Sequence, residues 1–188
     1  SSFVSCTMSN LVVGGIRKII EISTTYTGLS RNHGVKMVKD YVTAIDVEKR
    51  TVKLKNGKTL PYDKLVLSPG IDLQLDKIEG LAAANASGQI LQAWKAGPET
   101  VGLRKQLEAM PDGGTYILNV PLAPYRCPPG PYERASMVAN YFKQYKPKSK
   151  VLLLDANADV TSKGKLFKDV WASEYKDILE YRPNMKVT

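Results

Sequence analysis

The sequence has few of the residues that build metal sites and disulfide scaffolds. Its 188 residues include two cysteines, Cys6 and Cys127, and one histidine, His33. Neither cysteine lies in a CxxC pair, so the pattern disfavours both a disulfide-rich fold and a zinc site. His33 precedes Gly34 and is interpreted as an ordinary loop residue. We therefore expect no metal centre.

Long apolar runs and dense basic tracts are also missing. No stretch approaches the roughly 20 apolar residues of a membrane-spanning helix, so we expect no span. The net charge is +9, but the lysines and arginines are spread along the chain without interleaved aromatics, which disfavours nucleic-acid binding. No signal peptide is recognisable. The first residues look like the middle of a protein, and we expect any targeting segment to precede them.

The first half of the chain has the alternation of a β-meander. We predict strands at 35–38, 42–46, 51–54 and 59–62, with a hairpin turn at Asn56-Gly57, because both residues tolerate positive φ. A short apolar run at 65–67 predicts a strand buried on both faces. It leads into Pro69-Gly70, a turn that lets the backbone come close to a ligand.

The second half has the pattern of a β-loop-α-β unit. A small-residue segment at 81–88 is interpreted as a linker, and 99–110 as an amphipathic helix. We predict strands at 115–120 and 151–155, joined by a proline-rich loop and a helix over 133–145, and a further helix over 165–176.

The loop after Val120 lacks the GxGxxG sequence of a dinucleotide-binding unit, whose glycines let a pyrophosphate approach the backbone. Asp155, at the end of the second strand, occupies the usual position for a ribose contact. The unit is therefore interpreted as a dinucleotide fold without its phosphate cradle, and we expect it not to bind NAD.

A cysteine takes the place of this cradle. Cys127 lies in a proline-rich loop before a helix, where the helix dipole and Arg126 both favour a thiolate. Glu133, near the first turn, could carry a proton to or from sulfur. The alternative is that Cys127 is a small buried residue and Glu133 a helix-terminal charge. Cys6, taken on its residues alone, is interpreted as a buried thiol.

The run from Cys127 to Ala135, Cys-Pro-Pro-Gly-Pro-Tyr-Glu-Arg-Ala, closely resembles the flavoprotein subunit of flavocytochrome c sulfide dehydrogenase. Further similar segments follow in order along the chain: 67–71, 76–80, 93–97 and 103–108. The family belongs to the two-dinucleotide-domain flavoproteins, with glutathione reductase and sulfide:quinone reductase among its relatives.

The resemblance implies roles for individual residues. Cys6 matches the cysteine that forms a thioether to FAD, and Cys127 matches one half of the redox-active disulfide. Glu133 matches the acid near that disulfide. The residues that match positions close to FAD are Val42, Pro69, Gly70 and Trp94.

It also implies an α/β fold with parts of two dinucleotide-binding, Rossmann-like domains. We expect residues 1–111 to form part of the FAD-binding domain, with the β-meander and a connecting helix. Residues 112–188 would form part of the second, degenerate domain. The pyrophosphate-binding loop and the partner cysteine of Cys127 are expected to lie outside this chain, which corresponds to a central fragment. Alone it should lack FAD and activity, and it could self-associate through exposed apolar surface.

The resemblance implies that the parent protein oxidises sulfide and passes electrons to a c-type cytochrome in the bacterial periplasm. One alternative is an FAD-dependent NADH or quinone reductase of the same superfamily. The loss of GxGxxG argues against NADH, and the lack of an amphipathic membrane-binding helix argues against a quinone. The other alternative is a catalytically inert structural fragment.

Overall fold

The computed structural model describes residues 2–188 and divides them into two compact units. One unit comprises residues 25–72, and the other comprises residues 2–24 together with 73–188. The strands are β1 (Ser2–Val4), β2 (Ser23–Thr25), β3 (Val42–Asp46), β4 (Thr51–Leu54), β5 (Thr59–Pro61), β6 (Thr115–Val120), β7 (Lys150–Asp155) and β8 (Leu179–Arg182). The α-helices are α1 (Ser9–Val13), α2 (Thr27–His33), α3 (Leu81–Ala86), α4 (Pro98–Ala109), α5 (Gly130–Tyr145) and α6 (Gly164–Glu174). The mixed α/β class predicted from the sequence is confirmed.

An antiparallel meander forms the sheet of the unit over residues 25–72, in the order β3-β4-β5. The predicted turn joins β4 to β5, but only Gly57 has a positive φ, of 86°. Asn56 instead uses its side chain, whose Oδ1 accepts a hydrogen bond of 2.9 Å from the backbone N–H of Lys58. The prediction of the hairpin is therefore confirmed, while the expected backbone geometry of Asn56 is wrong.

Two strands predicted in this unit are absent from it. Residues 35–38 and 65–67 have no regular secondary structure. Val66 is 87% exposed, so this apolar run is not the buried strand that its composition predicts. Apolar residues form a strand only where a neighbouring strand takes up their backbone hydrogen bonds. His33 is the last residue of α2 rather than a loop residue, and Gly34 ends that helix with a left-handed φ of 65°.

A parallel sheet in the order β6-β7-β8 organises the larger unit. The helix α5 connects β6 to β7, which confirms the predicted β-loop-α-β unit. The apolar face of α5 is buried, with Tyr132, Val138 and Phe142 at 0% exposure. On the same side of the fold Leu107 of α4 and Trp171 of α6 join this core. The sequence did not predict β8, and it did not predict β1 and β2 near the start of the chain.

Helix boundaries in the larger unit differ from the prediction in two places. Residues 81–86 form α3 rather than a linker, because the sequence Leu-Ala-Ala-Ala-Asn-Ala is rich in the residue with the highest helix propensity. α5 begins at Gly130, three residues before the predicted start. As a result the proline-rich loop is shorter, and Gly130 and Glu133 both lie in the first turn. The short helix α1 packs against α4 and α5.

Candidate functional site

The loop before α5 holds Cys127 in an unusual backbone conformation. Its φ is 57°, in the left-handed region that few residues other than glycine adopt. The carbonyl of Cys127 accepts a hydrogen bond of 2.9 Å from the backbone N–H of Gly130. Its Sγ lies 3.2 Å from the position that a Cβ on Gly130 would occupy. The glycine therefore lets the sulfur lie against the first turn of α5.

Asn10 links α1 to this turn. Its side chain is buried, and Nδ2 donates hydrogen bonds to the carbonyl of Gly130 at 3.2 Å and to Oε2 of Glu133 at 3.4 Å. Glu133 is partly buried. This contact holds the carboxylate at the same helix turn against which Cys127 lies. The structure therefore brings these two predicted catalytic residues to one end of α5.

Cys6 and Trp94 meet at the same part of the unit. The thiol of Cys6 donates a hydrogen bond of 2.9 Å to the carbonyl of Trp94. The Trp94 ring packs edge-to-face on Tyr125, with 5.6 Å between the ring centroids, and Tyr125 belongs to the cysteine loop. Cys6 and Cys127 are both free thiols and both partly exposed. Four residues predicted as site residues, namely Cys6, Trp94, Cys127 and Glu133, are thus gathered around the start of α5.

Arg134 is a residue of this region whose role the sequence reading missed. It is 6% exposed, and its Nη2 donates a hydrogen bond of 2.7 Å to the carbonyl of Ala93. Burial lowers the pKa of Arg134, and the charges of Tyr116, Cys6, Cys127 and Glu133 oppose this effect. Arginine is almost never fully buried, so the residue type gave no sign of this position. Only its place one turn after Gly130 could have indicated it.

Asp155 ends β7 as predicted, but its carboxylate is engaged inside the protein. It is 0% exposed. Oδ2 accepts hydrogen bonds from the hydroxyls of Tyr132 at 2.7 Å and Tyr181 at 3.2 Å. Oδ1 accepts from the backbone and side-chain N–H groups of Asn157 at 2.9 Å and 2.8 Å. Asp155 therefore has the predicted position at the end of the second strand, but its carboxylate is already occupied by hydrogen bonds within the protein.

This carboxylate and its partners form a buried hydroxyl network. The hydroxyl of Tyr132 also accepts a hydrogen bond of 3.1 Å from the backbone N–H of Thr161. The Tyr125 hydroxyl lies 3.2 Å from that of Tyr132 and 2.6 Å from Oγ1 of Thr161. Burial, as the largest cause, raises the pKa of both Tyr132 and Tyr181. The network ties the cysteine loop to the carboxyl end of the parallel sheet.

The remaining predicted flavin-contact residues lie in the unit over residues 25–72. Val42 begins β3 and is exposed. Pro69 and Gly70 lie in an irregular, exposed segment, where Gly70 has the positive φ of 84° expected for the predicted turn. The roles of all seven predicted site residues stay predictions.

The described residues contain neither a cluster suited to a metal ion nor a membrane-spanning helix. Over 2–188, no group of three or more His, Cys, Asp and Glu side chains comes together in a way that could hold a metal ion. Within the same residues, none of the helices is long and apolar enough to cross a membrane.

Comparison with known families gives a specific match for the region that carries the cysteine loop. Residues 100–188 match the family model for the central region of the flavoprotein chain of flavocytochrome c sulfide dehydrogenase. This part of the chain is similar to that flavoprotein. The flavocytochrome c match includes Cys127, Glu133, Arg134 and the parallel sheet behind them.

Curated relatives are sulfide:quinone oxidoreductases of mitochondria. The protein from Dictyostelium discoideum is 28% identical over 122 residues, which are 64% of this chain and 26% of the relative. The protein from Mus musculus is 24% identical over 144 residues, which are 75% of this chain and 31% of the relative. The chain thus spans about a quarter to a third of the length of these relatives.

Solved structures share the fold. The sulfide:quinone oxidoreductase of Aquifex aeolicus superimposes with a TM-score of 0.75 at 21% identity, over 97% of this chain and 43% of that one. Putidaredoxin reductase, in its covalent complex with putidaredoxin, superimposes with a TM-score of 0.69 at 18% identity. At these identities the likeness shows a common fold.

The described residues fit a flavin in two respects. The Cys6 thiol is partly exposed, so it is accessible for a covalent bond. The thiol bonds to the backbone carbonyl of Trp94, whose indole is itself only partly buried. An accessible thiol and an accessible aromatic side chain are groups that a planar, apolar ring system can contact.

Proposed function

We propose that the protein containing this chain oxidises sulfide through a disulfide that includes Cys127, with FAD as the electron carrier and a c-type cytochrome as the acceptor. The observation that carries the proposal is the position of Cys127. Its sulfur lies against the first turn of α5, on the same turn as Glu133, within the region that matches the flavocytochrome c family. Accessible sulfur at a helix N-terminus suits thiol–disulfide exchange.

The first step is attack of hydrosulfide on the disulfide. A bond forms between the incoming sulfur and one cysteine sulfur, giving a persulfide. The cysteine–cysteine bond breaks, and its electron pair leaves on the other cysteine as a thiolate. Glu133, held by Asn10 at 3.4 Å, accepts or returns the persulfide proton.

In this proposal Cys6 and Trp94 would hold the flavin. When bound, FAD takes up two electrons from the sulfur centre and releases them singly. Since Cys6 is assigned to the flavin, Cys127 has no second cysteine within these 188 residues. The partner is therefore supplied by another part of the protein, and the 188 residues alone are expected not to turn over.

A quinone is the second candidate for the electron acceptor. The curated relatives named above and the Aquifex structure are sulfide:quinone oxidoreductases, which favours this alternative. The match of residues 100–188 to the flavocytochrome c family favours the cytochrome. A direct comparison decides between them: the intact protein is supplied with sulfide and either a c-type cytochrome or a short-chain quinone. Faster reduction of the quinone would replace the cytochrome in the proposal.

NADH is the weakest of the alternatives. The carboxylate in the position of a ribose contact is fully buried and accepts hydrogen bonds on both oxygens. A ribose hydroxyl would have to displace Tyr132 or Asn157 from it.

The experiment for the sulfide reaction compares the intact protein with its Cys127→Ser variant. Sulfide-dependent reduction of cytochrome c should be lost in the variant. Dithionite serves as the control, because it should still reduce the flavin of the variant, followed by its absorbance, when the sulfur step is blocked. Unchanged sulfide-dependent activity in Cys127→Ser would contradict the mechanism.

The location proposed for the intact protein is the bacterial periplasm, on the strength of the flavocytochrome c match. Separation of periplasmic and cytoplasmic fractions, followed by immunodetection, tests it. Recovery with the cytoplasmic enzymes would contradict it.

A further inference from the structure

Arg134 carries a buried charge that its surroundings compensate only in part. Its Nη2 hydrogen bond to the Ala93 carbonyl satisfies one donor. Its Nε is buried and has no hydrogen-bond partner among residues 2–188. Burial lowers the pKa of Arg134 in spite of the neighbouring charges, yet a guanidinium stays protonated in proteins. An uncompensated buried charge costs several kcal/mol, so the position calls for an anion.

Both sulfurs of the site lie near this guanidinium. Arg134 and Cys6 bind consecutive carbonyls, those of Ala93 and Trp94, at 2.7 Å and 2.9 Å. Cys127 lies against Gly130, one helical turn before Arg134, and residues four apart share a helix face. A negative charge on either sulfur acts on Arg134. Both sulfurs therefore lie within reach of the charge on Arg134.

A second unpaired buried atom belongs to Asn10, whose amide bonds to the first turn of α5. Oδ1 of Asn10 has no hydrogen-bond partner among the described residues, although Nδ2 of the same amide bonds to Gly130 and Glu133. The residues around the first turns of α5 therefore include one unused donor, the Nε–H of Arg134, and one unused acceptor, the Oδ1 of Asn10 on α1. Unpaired buried groups of this kind are rare in folded proteins and each needs an explanation.

We propose that Arg134 is the anion-binding residue for the sulfur chemistry of this site, with monovalent sulfur anions as its ligands: hydrosulfide as it arrives and the cysteine thiolate that it displaces. The inference rests on the proposed sulfide reaction. Hydrosulfide brings one negative charge into the site. After the disulfide is cleaved, the cysteine thiolate that forms carries this charge in its place. The net charge in the site is the same before and after the exchange. One fixed positive charge therefore stabilises both states without any rearrangement.

Alkylation of the reduced 188-residue chain tests this inference without sulfide or flavin. Cys127 is modified with iodoacetate, which is an anion, or with iodoacetamide, which is neutral, and the rates are followed by mass spectrometry. We expect the iodoacetate-to-iodoacetamide rate ratio in the folded chain to exceed that of the urea-unfolded chain by about fivefold or more. A ratio equal to that of the unfolded chain would overturn the inference.

Four variants identify the cation. Arg134→Gln should lower the ratio to that of the unfolded chain, and Arg134→Lys should retain most of it. Lys143→Gln, which removes an exposed charge farther along α5, is the matched control and should leave the ratio unchanged. If Arg126→Gln removes the preference and Arg134→Gln does not, the exposed loop arginine is the cation and the inference is wrong.

Ionic strength provides a test that needs no variant, in case Arg134→Gln fails to fold. The field of an exposed arginine is screened at about 0.5 M salt, whereas that of a buried one is screened much less. If the iodoacetate-to-iodoacetamide ratio of the wild type persists in high salt, the result supports Arg134 as the cation. If the ratio falls to that of the unfolded chain, the result contradicts this assignment. If the folded chain prefers iodoacetate as expected but the intact protein does not oxidise sulfide, only the proposed function is contradicted.

Discussion

Replacement of Tyr132 by phenylalanine tests the buried network behind the cysteine loop. The aromatic ring would keep its place, because its neighbours are the rings of Phe167 and Trp171 at 5.7 Å and 6.2 Å. The hydroxyl would be lost, and with it the 2.7 Å hydrogen bond to the Asp155 carboxylate and the acceptor for the Thr161 N–H.

The cost follows mainly from the loss at the Asp155 carboxylate, which is 0% exposed. Thr161 is an exposed residue, so water can replace the acceptor that its N–H loses. A buried group that loses a hydrogen-bond partner costs about 1–3 kcal/mol, and Tyr181 still donates to Asp155 at 3.2 Å, so the loss at the carboxylate is incomplete. We therefore expect Tyr132→Phe to lower the free energy of unfolding by about 1–3 kcal/mol.

Urea denaturation followed by tryptophan fluorescence measures this change, because both tryptophans, Trp94 and Trp171, lie in the larger unit. Tyr145→Phe is the matched control: it removes a hydroxyl from a side chain of α5 that is 67% exposed, and should stay within about 0.5 kcal/mol of the wild type. A Tyr132→Phe chain as stable as the Tyr145→Phe chain would refute the network.

Three further predictions concern the same unit. Burial raises the pKa of Tyr132 and Tyr181 in the folded chain. Above about pH 10, the ordinary pKa of tyrosine, the unfolded chain therefore loses phenolic protons that the folded chain retains, and the free energy of unfolding should fall with rising pH. Urea titrations at several pH values should show a less steep fall in Tyr132→Phe. Leu107→Ala should lower the free energy of unfolding by about 2–5 kcal/mol, since this side chain is 1% exposed, whereas Leu122→Ala should change it little because Leu122 is exposed. Thermal denaturation measures both, and equal melting temperatures would contradict the position of Leu107 in the core. Lys146→Met should lower the free energy of unfolding by about 1–3 kcal/mol, because Lys146 Nζ caps the end of α4 by donating hydrogen bonds to the carbonyls of Leu107 at 3.0 Å, Glu108 at 2.7 Å and Met110. Lys148→Met is the control. A Lys146→Met chain with the same helix content and stability as the control would contradict this capping role.

The parts of the fold that the sequence predicts are those governed by local patterns. The apolar runs of β6 and β7 and the amphipathic face of α5 recur as predicted, because their spacing matches the geometry of strands and helices. β8 has the sequence Leu-Glu-Tyr-Arg, in which charged residues mask the strand signal. Residues 65–67 have that signal without a partner strand.

The candidate site depends more on contacts between distant residues. The cysteine loop is recognisable because prolines, glycine and cysteine stand together in the sequence. The engagement of Asp155 by Tyr132 and Tyr181 joins residues that are 23 and 26 positions apart. Likewise the burial of Arg134 depends on Ala93, 41 positions before it. Such long-range hydrogen bonds leave no periodic pattern, so the sequence predicts the position of Asp155 but not the partners of its carboxylate.

The central claim is that sulfide electrons enter the protein through Cys127. The most direct measurement is anaerobic reduction of the flavin by sulfide in the intact protein, followed by absorbance in stopped flow. We expect sulfide to bleach the flavin absorbance rapidly in the wild type and not at all in Cys127→Ser, although dithionite should bleach the flavin of both. Bleaching by sulfide at the same rate in Cys127→Ser would contradict the account.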